Sequence, residues 1–121
     1  MSAVLIWIRR HWLWLTLILL AAITTLSLWP ADQLPAVPGT DKTHHFIAYG
    51  VLMFPAALRK PEHWLLIAAG FVVYSGIIEL IQPFVNRYGE WLDLAANSGG
   101  VVCGMLLARF VHLLFIYNAE Q

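Results

Sequence analysis

The chain has 121 residues, of which 60% are hydrophobic and 12% charged, and its seven Lys and Arg balance seven Asp and Glu. The charged share is about half the roughly 25% of an ordinary soluble domain, which excludes that class, and a net charge of zero leaves no electrostatic footprint for nucleic acid. The length suits one domain, residues 1–121, and a lone cysteine, Cys103, excludes an internal disulfide and is expected as a packed thiol.

Four apolar blocks follow in chain order. The first, residues 11–29, carries no charge and matches the roughly 20 residues needed to cross a hydrocarbon core of about 30 Å. Its apolar core exceeds the roughly 7–15 residues of a secretory signal, and no small-x-small cleavage site precedes Pro30, so an uncleaved span is expected. The second, 43–58, is short and needs tilt or local thinning of the bilayer. The third, 63–84, is interrupted only by Glu79 and Gln82. The fourth, 92–108, has room to continue past Arg109 to Tyr117. The expected fold is all-α, an integral membrane four-helix bundle with short connections. Six tryptophans lie mostly near span ends, where an aromatic belt accounts for them.

The distribution of Lys and Arg orients the bundle. With both termini inside, the cytoplasmic set is Arg9, Arg10, Arg59, Lys60 and Arg109, against Lys42 and Arg87 outside. This predicts a multi-pass membrane protein with N- and C-termini in the cytoplasm. Every strongly polar cluster then falls at the outer end.

Helical spacing turns those clusters toward one another. Asp41, His45 and Tyr49 step by four and share a face of the second helix. Gly76, Glu79 and Gln82 step by three on the third. Asp93, Asn97, Gly100 and Gly104 follow one stripe of the fourth, and the two glycines make a small-xxx-small pair suited to close helix packing in lipid or to a homo-oligomer contact. Counting about 1.5 Å of rise per residue, Tyr49, Glu79 and Asn97 form one layer capped by Lys42, His45, Arg87 and Asp93.

In order and spacing these residues resemble the VanZ-like family of small membrane proteins. The match runs Asp41-Lys42-x-x-His45-Phe46-x-x-Tyr49, then Gly76-x-x-Glu79-x-x-Gln82, then Arg87 with Asp93 six residues on, then Asn97-x-x-Gly100-x-x-x-Gly104. It covers roughly residues 40–108. Members often carry a small hydroxyl residue between the arginine and the aspartate, where this chain reads Tyr88-Gly89-Glu90-Trp91-Leu92. The resemblance implies a polytopic membrane protein and, through the founding member's association with resistance to teicoplanin, a connection to cell-wall precursors. It implies no particular reaction.

The candidate ligand-binding set is Asp41, Lys42, His45, Tyr49, Glu79, Gln82, Arg87, Asp93 and Asn97. Two readings stand at this level. In one, the outer site binds a membrane lipid headgroup or a lipid-linked envelope precursor, with Lys42 and Arg87 supplying positive charge. In the other, a small membrane enzyme uses His45 and Glu79 as an acid–base pair on an amphiphilic substrate. Bland roles compete residue by residue: Asp41 as a helix cap, Glu79 in a buried pair joining helices, Arg87 braced against Asp93, and Asn97 and Gln82 hydrogen-bonding across helices. No cofactor is expected. His44, His45, Glu79 and Asp93 are zinc-ligand types, but without HExxH-like spacing no metal site is expected either.

Overall fold

The computed structural model describes residues 3–30, 40–87 and 89–117. Among these the helices are α1 (Ala3–Arg10), α2 (Trp12–Leu28), α3 (Asp41–Arg59), α4 (Trp64–Ile81) and α5 (Trp91–Val111). A 3-10 turn, Gln82–Val85, extends α4, and a π-helical stretch, His112–Tyr117, extends α5. The fold is all-α, and α2 to α5 correspond to the four expected blocks.

The short α1 was not expected. Residues 3–10 continue the apolar character of the first block, but the chain bends by 75° between α1 and α2. His11 sits at the bend with non-helical dihedrals, φ −107° and ψ 23°, and its Nδ1 lies 3.0 Å from the Trp7 carbonyl oxygen. Arg9 and Arg10 close the last turn of α1, where positive charge complements the helix dipole.

Two helical segments are long and apolar enough to cross a membrane, Trp64–Val85 and Trp91–Phe115, and the bent pair α1–α2 makes a third if taken as one span. Helix α3 differs in kind. It begins with Asp41, Lys42, His44 and His45, so its apolarity is lower, yet it is the most enclosed element. Tyr49, Leu52, Met53, Pro55, Ala56, Ala57 and Leu58 are all buried along it. A helix wrapped by others buries its polar residues against protein rather than lipid, so it does not need an apolar surface all round.

The closest helix pair is α3 with α5. Gly50 faces Gly100 and Gly104 across it. A Cβ on Gly104 would lie 2.6 Å from the Gly50 carbonyl oxygen and 3.0 Å from Met53 Cβ, and one on Gly100 would strike the Phe46 carbonyl oxygen. Successive turns of α3 thus meet successive turns of α5, and the two run in the same direction. Cys103, next to this stripe, is exposed rather than packed: it lines an apolar groove of about 650 Å³ between α1–α2 on one side and α3–α5 on the other. Between α2 and α4, Thr24 Oγ1 donates to the Leu20 carbonyl (2.7 Å), so the adjoining Tyr74 hydroxyl is the donor in its own contact with Thr24.

Chain reversals fit their residues. Lys60 and His63 both adopt left-handed conformations in the tight α3–α4 turn, with φ of 51° and 61°. At the other end Pro83 closes off the α-helical ladder, and Asn86, φ 59°, turns the chain toward α5.

Candidate functional site

The polar residues of α3, α4 and α5 meet at one end of the bundle, where α3 and α5 begin and α4 stops. Thr40, not Asp41, is the N-cap of α3: its Oγ1 accepts a hydrogen bond from the Thr43 N–H at 3.1 Å. Asp41 is therefore released from the expected capping role. It sits in the first turn with a 60% exposed side chain, and its Oδ2 lies 3.5 Å from His45 Nε2 one turn on.

His45 joins α3 to α5. Its Nδ1 is 3.0 Å from Asn97 Oδ1. An amide oxygen only accepts, so Nδ1 carries the proton and donates it to Asn97. Asn97 is fully buried, which fixes the direction of the imidazole and leaves Nε2 facing Asp41.

Lys42, at the start of α3 ahead of its apolar stretch, reaches the N-terminus of α5. Its Nζ donates to Glu90 Oε2 at 2.9 Å and lies 3.6 Å from Asp93 Oδ1, an ion-pair separation longer than a hydrogen bond. The bond to Glu90 holds Lys42 above its ordinary pKa, so the ammonium is charged at neutral pH. Any stability from this pair is present below the unfolded pKa and fades as pH rises through the folded one.

Glu79 approaches from α4. Its Oε2 accepts the backbone N–H of Glu90 at 3.1 Å, while its Oε1 is buried with no hydrogen-bond partner among the described residues. The side chain is within electrostatic reach of Asp93, His45 and Asp41, and Tyr49 in turn is within reach of Glu79. Asp93 is 2% exposed and interacts with His45, Asp41, Lys42 and Glu90, and its Oδ1 likewise has no hydrogen-bond partner. Four carboxylates, those of Asp41, Glu79, Glu90 and Asp93, thus gather in one cluster, and the Lys42 ammonium pairs with two of them, Glu90 and Asp93.

Two of the nine sequence candidates turn elsewhere. Arg87 does not brace Asp93. Its Nη1 donates to the carbonyls of Leu26 (2.7 Å) and Trp29 (3.0 Å) at the C-terminal end of α2. These carbonyls lack helical partners, and a guanidinium supplies both a donor and the charge that the helix C-terminus favours. Gln82 behaves as an inter-helix bond, with Nε2 donating to the Ser27 carbonyl at 3.1 Å and Oε1 buried and unpartnered among the described residues. Replacing Arg87 with Ala should lower stability by about 1–2 kcal/mol, the worth of a charge-assisted bond at a helix end, and Arg87→Lys should restore part of it. Denaturant unfolding followed by helical circular dichroism measures both.

Glu90 is the member that sequence reasoning passed over. It reads as an ordinary loop acid, but it lies at the N-cap position of α5, three residues before Asp93, so the first turn of α5 carries both to the same place. Its backbone serves Glu79 and its carboxylate serves Lys42. The loop approaches α4 closely as well: a Cβ on Gly89 would strike the Glu79 carbonyl oxygen. Tyr88 lies outside the described residues.

A family model described as VanZ/LLP1 matches residues 5–114 of the chain. No curated protein and no solved structure matches it.

Proposed function

The chain belongs to the VanZ/LLP1 family, and from that premise we propose that it is an envelope protein of the bacterial inner membrane, with both termini cytoplasmic, that binds the headgroup of a membrane lipid or lipid-linked cell-wall precursor at its outer polar cluster. One observation carries this reading: among the described residues buried Glu79 Oε1 has no hydrogen-bond partner, and buried Asp93 Oδ1 has only the 3.6 Å ion-pair contact with Lys42, whose side chain is 43% exposed. Buried acceptors without partners are costly, by roughly 1–3 kcal/mol each, and a ligand donor removes that cost.

The charge balance refines which headgroup fits. With Arg87 committed to α2, the anion clamp of Lys42 and Arg87 is replaced by one ammonium among carboxylates. Such a site suits a headgroup bearing both an anionic group for Lys42 and an amine for the carboxylates. The apolar groove supports an amphiphilic ligand, since Phe46, the residue after His45, lines it and its walls continue along α3 to Pro55. The founding member's association with teicoplanin resistance makes an amine-bearing cell-wall precursor the first ligand to test.

Purified wild-type protein should retain a defined lipid class, measured by mass spectrometry of the extracted sample. Lys42→Ala should retain at least ten-fold less with its helical content unchanged. Equal retention by a folded Lys42→Ala protein overturns the reading.

The enzyme reading keeps a specific observation of its own. His45 is held by Asn97 through Nδ1 with Nε2 turned toward Asp41, and Glu79, within electrostatic reach of it, offers an oxygen without a hydrogen-bond partner among the described residues. A change in mass of envelope lipid extracts incubated with wild-type protein, absent with Glu79→Gln, is the result this reading expects.

A further inference from the structure

We infer that Asp41, His45 and Asp93 form a binding site for one divalent transition-metal cation. The three residues come from two helices, Asp41 and His45 one turn apart on α3 and Asp93 on the first turn of α5. One donor atom from each lies within 4.8 Å of the other two. The 3.5 Å between His45 Nε2 and Asp41 Oδ2 is close to the edge of a tetrahedron with metal–ligand bonds of roughly 2.0–2.1 Å.

The imidazole is prepared for this role. Its Nδ1 N–H donates to Asn97 Oδ1, which turns Nε2, the other ring nitrogen, toward the Asp41 carboxylate as the one available to a metal ion. Metal-binding histidines characteristically donate their other ring nitrogen in this way, which fixes both tautomer and orientation.

A second observation lies outside the triad. Glu79 Oε1 is buried, has no hydrogen-bond partner among the described residues, and belongs to a side chain that interacts with all three ligands. Asp93 Oδ1 is also without a hydrogen bond among the described residues. One ammonium leaves three of the four carboxylates without a matching charge, and a divalent ion offsets two of them. Lys42 does not block it: with Glu90 at 2.9 Å as its hydrogen-bond partner, it can yield the longer 3.6 Å contact with Asp93. Mixed imidazole and carboxylate donors suit Zn²⁺ or Mn²⁺, whereas Ca²⁺ and Mg²⁺ prefer oxygen alone. Three protein ligands leave a position open for water or a headgroup oxygen.

The test uses the full chain in detergent, stripped with EDTA and titrated with Zn²⁺ and Mn²⁺ by calorimetry. The expected result is saturation at one ion per chain and a rise in Tm on adding Zn²⁺ that Mg²⁺ and Ca²⁺ do not reproduce. His45→Gln and Asp93→Asn should each weaken binding at least ten-fold, and Gly70→Ala, where a Cβ on α4 meets nothing within 4 Å, should retain it. Failure of the wild type to bind either ion saturably overturns the inference without reference to any variant, as does wild-type affinity in a folded His45→Gln protein. Retained lipid is measured in the same samples. Metal binding without lipid supports this site and counts against the headgroup reading; lipid without metal binding does the reverse.

Discussion

Gly100→Leu should yield no folded protein, and Gly100→Ala should already cost about 1–3 kcal/mol, the usual range for overpacking a tight interior. The obstacle is backbone. A Cβ at Gly100 strikes the Phe46 carbonyl oxygen and lies 3.1 Å from Gly50 N, so relief requires α3 and α5 to move apart. In lipid, helix association rests on such close packing, since the hydrophobic drive between helices is absent. Separating the helices would also pull His45 from Asn97 and Lys42 from Glu90. Gly70 on α4 is the control. Nothing lies within 4 Å of a Cβ there, so Gly70→Ala should be neutral or gain roughly 0.5–1 kcal/mol from lower backbone entropy in the unfolded chain. Unfolding midpoints in mixed micelles, read by circular dichroism, distinguish the two positions.

Glu79→Gln should leave the protein as stable as the wild type, or more stable by about 1 kcal/mol, while cutting retained lipid at least ten-fold. The amide oxygen still accepts the Glu90 N–H, and one negative charge leaves a cluster that has too many. If Glu79 were the acidic half of a structural ion pair, removing its charge would instead strand a cation and destabilise the protein by roughly 3–5 kcal/mol. Its hydrogen-bond partner is a backbone amide rather than a cation, so the opposite sign is expected. Stability measured beside lipid retention in one preparation decides between them. A drop in stability with lipid unchanged would place Glu79 in the scaffold.

Much of the site was legible because periodicity acts locally. The four-residue step from Asp41 to His45 is a property of the helix, and these two side chains do meet at 3.5 Å. The same holds for the stripe of Asn97, Gly100 and Gly104, which packs as its spacing implies, with all three buried. Arg87 was misplaced for a complementary reason. The sequence pairs it with Asp93 six residues on, but the unpaired carbonyls it answers lie at the C-terminal end of α2, some sixty residues earlier, and nothing local announces them. Glu90 was missed because its value comes from two partners on two other helices.

Composition and helical period by themselves determined an all-α membrane chain, the four long helices and the gathering of polar residues at one end, since apolar length and a 3.6-residue repeat are carried by each segment alone. Only the tertiary structure decided the bend at His11, the enclosure of α3, the diversion of Arg87 to α2 and the surplus of carboxylates in the polar cluster. Those depend on which unpaired group of one helix comes within about 3 Å of another, a question of distance that no single segment contains.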